Sequence, residues 1–197
     1  MGLLDGLGLL IEILTKTSGP PIPIDFPKAS PPKPVNDTNS FIDNVFKDKV
    51  TPEIGSVIHC DLSPIPGLSL LNLNAEHTGI YVGNGKIIHR SGDGYLEKVT
   101  PREFLNRLNG NNFAISVYVS CKGNYPLKID SAFNRAVKAL NDPSHSGYNL
   151  LNKNCHNFTR YCLTGDTDQW GLDFTFHSLK DLLFYKFGMD NWRVWDY

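Results

Sequence analysis

Three residues, Cys155, His77 and His89, have the types needed for a thiol nucleophile, its base and an orienting group. Cys155 lies in the string Asn154-Cys155-His156-Asn157-Phe158, and the histidines lie in a stretch that opens His77-Thr78-Gly79-Ile80-Tyr81-Val82-Gly83. Asn154 is a good helix N-cap, so Cys155 is expected in the first turn of a helix, at the positive end of its dipole. A thiolate is stabilised there, the more so with an imidazole nearby. The helix is expected to end at Thr164-Gly165, with Gly165 in the left-handed conformation.

The elements around the histidines must then bring both rings to one side. A two-residue Asn84-Gly85 turn would put His77 and His89 on opposite faces of a hairpin. A three-residue loop, Gly83-Asn84-Gly85 with Gly85 left-handed, pairs Val82 with Lys86 and Gly79 with His89. The two histidines then become diagonal neighbours on one face, about 7–8 Å apart at Cα, and Gly79 leaves room for the imidazole opposite. The chemistry demands the second register. Tyr81 falls on the same face, where its hydroxyl is a candidate oxyanion donor, although packing is its first expected role.

Each residue also has a plainer use. Cys155, Phe158 and Cys162 stand at i, i+3 and i+7, which suits an ordinary buried helix cysteine. Either histidine alone would read as a hydrogen-bonded strand residue; it is the combined spacing that favours catalysis. Zinc could in principle use Cys155, His156, His77 and His89, but adjacent side chains on a helix diverge, and neither a metal nor a cofactor is expected. His59, His145, His156 and His177 belong to no motif and are assigned surface or core roles.

The 197 residues suffice for one compact domain with appendages. A net charge of −1 with interspersed signs gives no basic stripe for nucleic acid. Cys60, Cys121, Cys155 and Cys162 form no C-x-x-C pair and read as reduced thiols, the three other than Cys155 serving in packing. Residues 1–18 read as an amphipathic helix, with Leu3, Leu4, Leu7, Leu10, Ile11 and Leu14 on one stripe. It lacks the marks of a standard secretion signal and is too short and charged to span a bilayer. It is expected to dock on the protein or a partner, with a peripheral membrane contact as the alternative. The expected location is therefore cytoplasmic or at a membrane surface.

Residues 19–36 hold seven of the thirteen prolines and read as an extended linker. After a short helix over Asn39–Phe46, strands are expected at Ser56–Cys60, Thr78–Val82, Lys86–Arg90, Tyr95–Val99 and Phe113–Val119. Helices are expected at Pro101–Leu108, Ser131–Leu140, the Cys155 segment and Ser178–Phe187. Residues 166–197 carry nine of the 22 aromatics and read as an extension packed on a catalytic domain of residues 37–165, its rings serving as core or lid.

These strings resemble the lecithin retinol acyltransferase family, the H-box/NC proteins, which are circularly permuted relatives of the papain-like cell-wall peptidases. The resemblance rests on Ile54-Gly55-Ser56-Val57-Ile58, on the His77–His89 box with its twelve-residue interval, and on Tyr148-Asn149-Leu150-Leu151 leading to Asn154-Cys155 and Phe158. It implies an α+β permuted papain-like fold, with an antiparallel sheet packed against the nucleophile-bearing helix. It makes Cys155 the nucleophile, His77 its base and His89 the polar third member, with Asn154 and Tyr81 as supporting candidates. It further implies an acyl donor, a phospholipid or other ester, and an amine, alcohol or water as acceptor. A peptidoglycan amidase or peptidase and a catalytically inactive binding module are the alternatives. Two departures stand out: Asn-Cys-Glu-His-Phe is usual where this chain has Asn154-Cys155-His156-Asn157-Phe158, and Gly-Asp is common where it has Gly55-Ser56.

Overall fold

A computed structural model describes residues 49–62, 75–106, 116–145, 154–166 and 175–197. The expected N-terminal helix, proline-rich linker and Asn39–Phe46 helix lie outside the described residues.

The fold is α+β. Its sheet consists of β1 (Val57–Leu62), β2 (Ala75–Tyr81), β3 (Ile87–Arg90), β4 (Leu96–Val99), β5 (Tyr118–Lys122), β6 (Tyr125–Pro126) and β7 (Asn191–Val194). The strand order is β4-β3-β2-β1-β5-β6, with β7 also pairing β5, and every pairing between these strands is antiparallel. Among the described residues four helices accompany it: α1 (Pro101–Leu105), α2 (Asp130–Leu140), α3 (Cys155–Thr164) and α4 (Phe176–Phe187).

Alternation along β1 and β2 assigns residues to two faces. Val57 pairs with Ile80, His59 with Thr78 and Asp61 with Glu76, so these side chains share one face. That face meets the larger core, in which Val57, Ile80 and Ile88 pack with Ala132, Ala136, Phe158, Cys162, Leu179 and Trp192. The other face carries Ile58, Cys60, Tyr81, Ile87 and Val99 beneath Phe104 and Trp195. Thr100 begins α1 with a capping box, its hydroxyl accepting from the Glu103 N–H while Glu103 accepts from the Thr100 N–H, and Pro101 fills the first helical position. This short helix exists to seat Phe104, which is fully buried.

Several boundaries differ from the sequence reading. β2 starts at Ala75 rather than Thr78, because Ala75, Glu76 and His77 pair with Leu62, Asp61 and Cys60. α1 stops at Leu105, where Asn106 leaves helical geometry. Of the strand expected over Phe113–Val119, residues 113–115 lie outside the described residues; the described strand runs Tyr118–Lys122, drawn on by pairing with β6 and β7. The C-terminal aromatic segment supplies a helix and a strand: Thr175 caps α4 two residues early, and β7 pairs Val194 through Asn191 with Tyr118 through Cys121. Phe176, Trp192 and Trp195 are buried, so these rings are core. No described helix is long and apolar enough to cross a membrane.

Candidate active site

The β2–β3 hairpin has the three-residue loop. Val82 N–H donates to the Lys86 carbonyl at 2.9 Å, and Lys86 N–H donates to the Gly83 carbonyl at 3.0 Å. Gly85 is left-handed at φ 66°, and Gly83 and Asn84 are too, at 88° and 52°. Gly79 consequently faces His89. A Cβ at Gly79 would lie 2.7 Å from Ile87 Cγ2, 2.8 Å from the Ile88 carbonyl oxygen and 3.0 Å from His89 Cβ. Only glycine fits. The two imidazoles stand nearly perpendicular, with His77 Nε2 3.0 Å from His89 Nδ1, and Phe104 lies against both rings.

Cys155 opens α3. The Asn154 side chain accepts from the Asn157 N–H at 2.9 Å, and Asn157 Oδ1 accepts in return from the Asn154 N–H at 3.4 Å. Asn157 thus serves where a Glu or Gln usually completes the reciprocal cap. At the other end Gly165 is left-handed, and its N–H donates to the Tyr161 carbonyl.

The thiol meets the sheet at an overhang. The backbone N–H and carbonyl of Tyr81 turn toward the β1 side, to Ser56 and Gly55, so the alternate residues of β2 turn theirs toward β3. The β2–β3 ladder ends at Gly79–His89, yet β2 continues back to Ala75. The Glu76 carbonyl and Thr78 N–H therefore point out of an edge that β3 has left. Cys155 Sγ lies 4.0 Å from the Glu76 carbonyl oxygen, and the Thr78 N–H points at the sulfur. Burial pushes the Cys155 thiol up, but the His77 charge and hydrogen bond, with the Thr78 and Cys155 N–H groups, outweigh it and bring the thiol below its ordinary value. Since His77 Nε2 faces His89, Nδ1 is the nitrogen left for the thiol. Burial pushes Cys121 up to about 12 and Cys162 higher still.

The sequence reading singled out Cys155, His77, His89, Asn154 and Tyr81. The structure gathers the first four. Tyr81 lies at the turn end of the hairpin, where its hydroxyl accepts from the Gly85 N–H at 3.3 Å and its ring meets Trp195 edge-on. It sits two steps along the histidine face from the thiol, engaged in packing.

Three nearby groups were not anticipated. His156 turns away from Cys155, its Nδ1 3.1 Å from Thr78 Oγ1, which in turn accepts from the Thr159 hydroxyl at 3.0 Å. Burial pushes His156 down to about 4, partly countered by Glu76, and pushes Glu76 up to about 7, partly countered by His156 and Lys180. Glu97 faces His89 across β3–β4, with 3.8 Å between its Oε2 and His89 Nε2. The Glu97 placement follows from the alternation of β4 once its register is known; the electrostatic interaction of Glu76 with His156 joins residues 80 positions apart and leaves no local trace.

The fold and site define an arrangement in which a helix-N-terminal thiol abuts a histidine pair on a β-hairpin. The sequence model for lecithin retinol acyltransferase matches residues 55–168, from just before β1 past the end of α3, and the chain belongs to that family. No curated protein and no solved structure matches the chain. Family membership indicates an acyltransferase-type thiol enzyme.

Proposed function

We propose that this protein forms a thioester at Cys155 from a lipid or other ester acyl donor and passes the acyl group to an alcohol, amine or water. The observation that carries this reading is the file Cys155–His77–His89, in which His77, with the Thr78 and Cys155 N–H groups, outweighs the burial of the thiol. His77 takes the thiol proton, and the sulfur attacks the ester carbonyl. The C–O bond breaks as His77 returns that proton to the departing alcohol. The acceptor then gives its proton to His77 and attacks the thioester, and the sulfur leaves and recovers the proton. The Cys155 backbone N–H, at the start of α3, is a donor for the oxyanion of both tetrahedral intermediates. His89 orients His77.

Support for an ester donor over an amide comes from family membership. The order of parts, histidine hairpin first and cysteine helix last, is the one a permuted papain-like fold would have. A peripheral membrane or protein contact through residues 1–18 belongs to the same reading.

The decisive test is mass spectrometry of the intact protein after incubation with a short-chain phospholipid or an activated ester. A hydroxylamine-sensitive acyl adduct on Cys155 is expected. Cleavage of purified muropeptides with no acyl adduct from any ester would make the chain an amidase instead. Neither product would leave a binding module.

A further inference from the structure

We infer that Glu97 is a positioning residue of the same site, fixing the tautomer of His89 and so aligning the proton path from Cys155. The inference rests on the thiol–His77 reading above. It starts from hydrogen-bond direction. For His77 to accept the thiol proton at Nδ1, its other nitrogen must carry a hydrogen, and that nitrogen faces His89 Nδ1 at 3.0 Å. His89 Nδ1 must then be the acceptor, which leaves the proton of a neutral His89 on Nε2. Nε2 is the atom that faces Glu97 Oε2. A carboxylate only accepts, so it favours the tautomer the path requires and disfavours the one that would reverse it.

The fold makes this placement specific. Glu97 is the direct cross-strand partner of His89, on the same face. His89 is wholly enclosed, whereas Glu97 is 43% exposed. The carboxylate thus stands at the solvent boundary while facing a fully enclosed ring. At 3.8 Å the contact is of ion-pair range rather than a hydrogen bond, and it acts through its field on a buried group. The same negative charge stabilises the imidazolium that appears when the thiol proton is transferred. The two cations that flank this pair in β3 and β4 turn away from it. Arg90 follows His89 onto the opposite face and donates to the Gly94 carbonyl, and Lys98 pairs with Ile88 on that opposite face. Among the described residues, His77 and the apolar Phe104 also lie against the ring, with Cys155 beyond His77.

The experiment compares the full chain with its Glu97→Gln, His77→Ala and Glu53→Gln variants. One measurement is the pH dependence of iodoacetamide labelling at Cys155; the other is the ¹⁵N ring signature of His89 in histidine-labelled protein. Glu97→Gln keeps the shape of the side chain but adds an amide donor. It should slow labelling at neutral pH by about three- to fivefold, the range of a partly exposed charge pair, and move the labelling midpoint upward. The His89 ring should change from the Nε2–H form to a mixture. Glu53→Gln, the loss of an exposed carboxylate elsewhere, should change neither. An unchanged midpoint and tautomer in Glu97→Gln, alongside a collapsed profile in His77→Ala, would overturn the role of Glu97 and leave the base in place. An equal shift in Glu53→Gln would reduce the effect to net charge and also overturn it. An unchanged profile in His77→Ala would instead remove the base on which this inference stands.

Discussion

The two faces of β1 and β2 near the thiol both carry histidines, and they use them in opposite ways. On one face His77 and His89 stand 3.0 Å apart in a file that begins at the Cys155 sulfur and ends at Glu97. On the other, His59 is fully buried, stacked on Phe176 at 4.3 Å between ring centres, and pushed well below its ordinary value by burial and by the charges of His156, Lys180 and His77. Among the described residues neither of its ring nitrogens has a hydrogen-bond partner, although Asp61 lies 3.4 Å from Nε2. His156 is likewise held neutral, tied to Thr78. The lesson is that burial by itself makes a histidine a poor base. A row of partners that can each pass on the consequence of a proton is what makes one useful.

The sharpest way to break this contrast is to delete one histidine from each face. Cys155→Ala and His77→Ala should each reduce turnover by about 10³-fold or more with the fold intact by circular dichroism, because such groups act as a unit. His156→Gln, which can still bond Thr78, should keep the wild-type order of magnitude. Comparable losses from His77 and His156 variants would erase the distinction.

Next in size is the register of the histidine face. Gly79→Ala drives a methyl into Ile87, the Ile88 carbonyl and His89 Cβ. Stability should fall by about 1–3 kcal/mol in urea titration. Activity should fall by about tenfold to a hundredfold from the displaced imidazole. Wild-type activity would show that the pair tolerates movement the site reading forbids.

The opposite face should instead reveal itself through pH. Glu76 has a raised folded value, about 7, so the native state binds its proton more tightly than the unfolded chain does. Its contribution to stability is present below the ordinary carboxylate value and is lost as pH rises through 7. His156, lowered to about 4, has the reverse effect: its contribution is present above the ordinary imidazole value and is lost as pH falls toward 4. Glu76→Gln removes the first effect together with its pull on His156, which is neutral above pH 5 in either protein. Its melting temperature relative to wild type should therefore rise between pH 5 and pH 8. A constant offset would show that Glu76 is not desolvated.

The smallest effect concerns the helix that carries the thiol. Asn154→Ala removes the acceptor for the Asn157 N–H and should cost about 1 kcal/mol. That corresponds to about 2–4 °C of melting temperature in a chain of this size. A larger loss would mean that Asn154 supports more than its cap.

Much of the face that carries the histidine pair was legible because its determinants are local. The Gly83-Asn84-Gly85 loop sets which residues oppose one another, and Asn154 and Gly165 mark the two ends of α3 by the backbone groups they satisfy. The other face was not legible. Glu76, His156 and Lys180 lie on three different elements, and nothing in the neighbourhood of any one of them signals the others. β7 was hidden for a related reason: Asn191–Val194 is a four-residue strand whose stability comes from β5, about 70 residues earlier. Asn157 escaped notice because its place in a cap is normally taken by a longer side chain. Glu97 fell inside the strand expected over Tyr95–Val99 with no role of its own, and only the register makes it a neighbour of His89.

The overhang of β2 beyond β3 also bears on how the chain folds. The histidine hairpin closes over a loop of three residues and can form early, as a local event. Its partner at the exposed Glu76–Thr78 edge arrives from far along the chain: Cys155 is 79 residues from Glu76, and Thr159 is 81 from Thr78. Contacts of such separation carry a large loop-closure cost and form late. Until α3 docks, the overhang is an uncovered strand edge able to accept a strand from another molecule. The helix that carries Cys155 is therefore also a cover of that edge, and completion of the candidate site coincides with the step that lowers the risk of misassociation during folding.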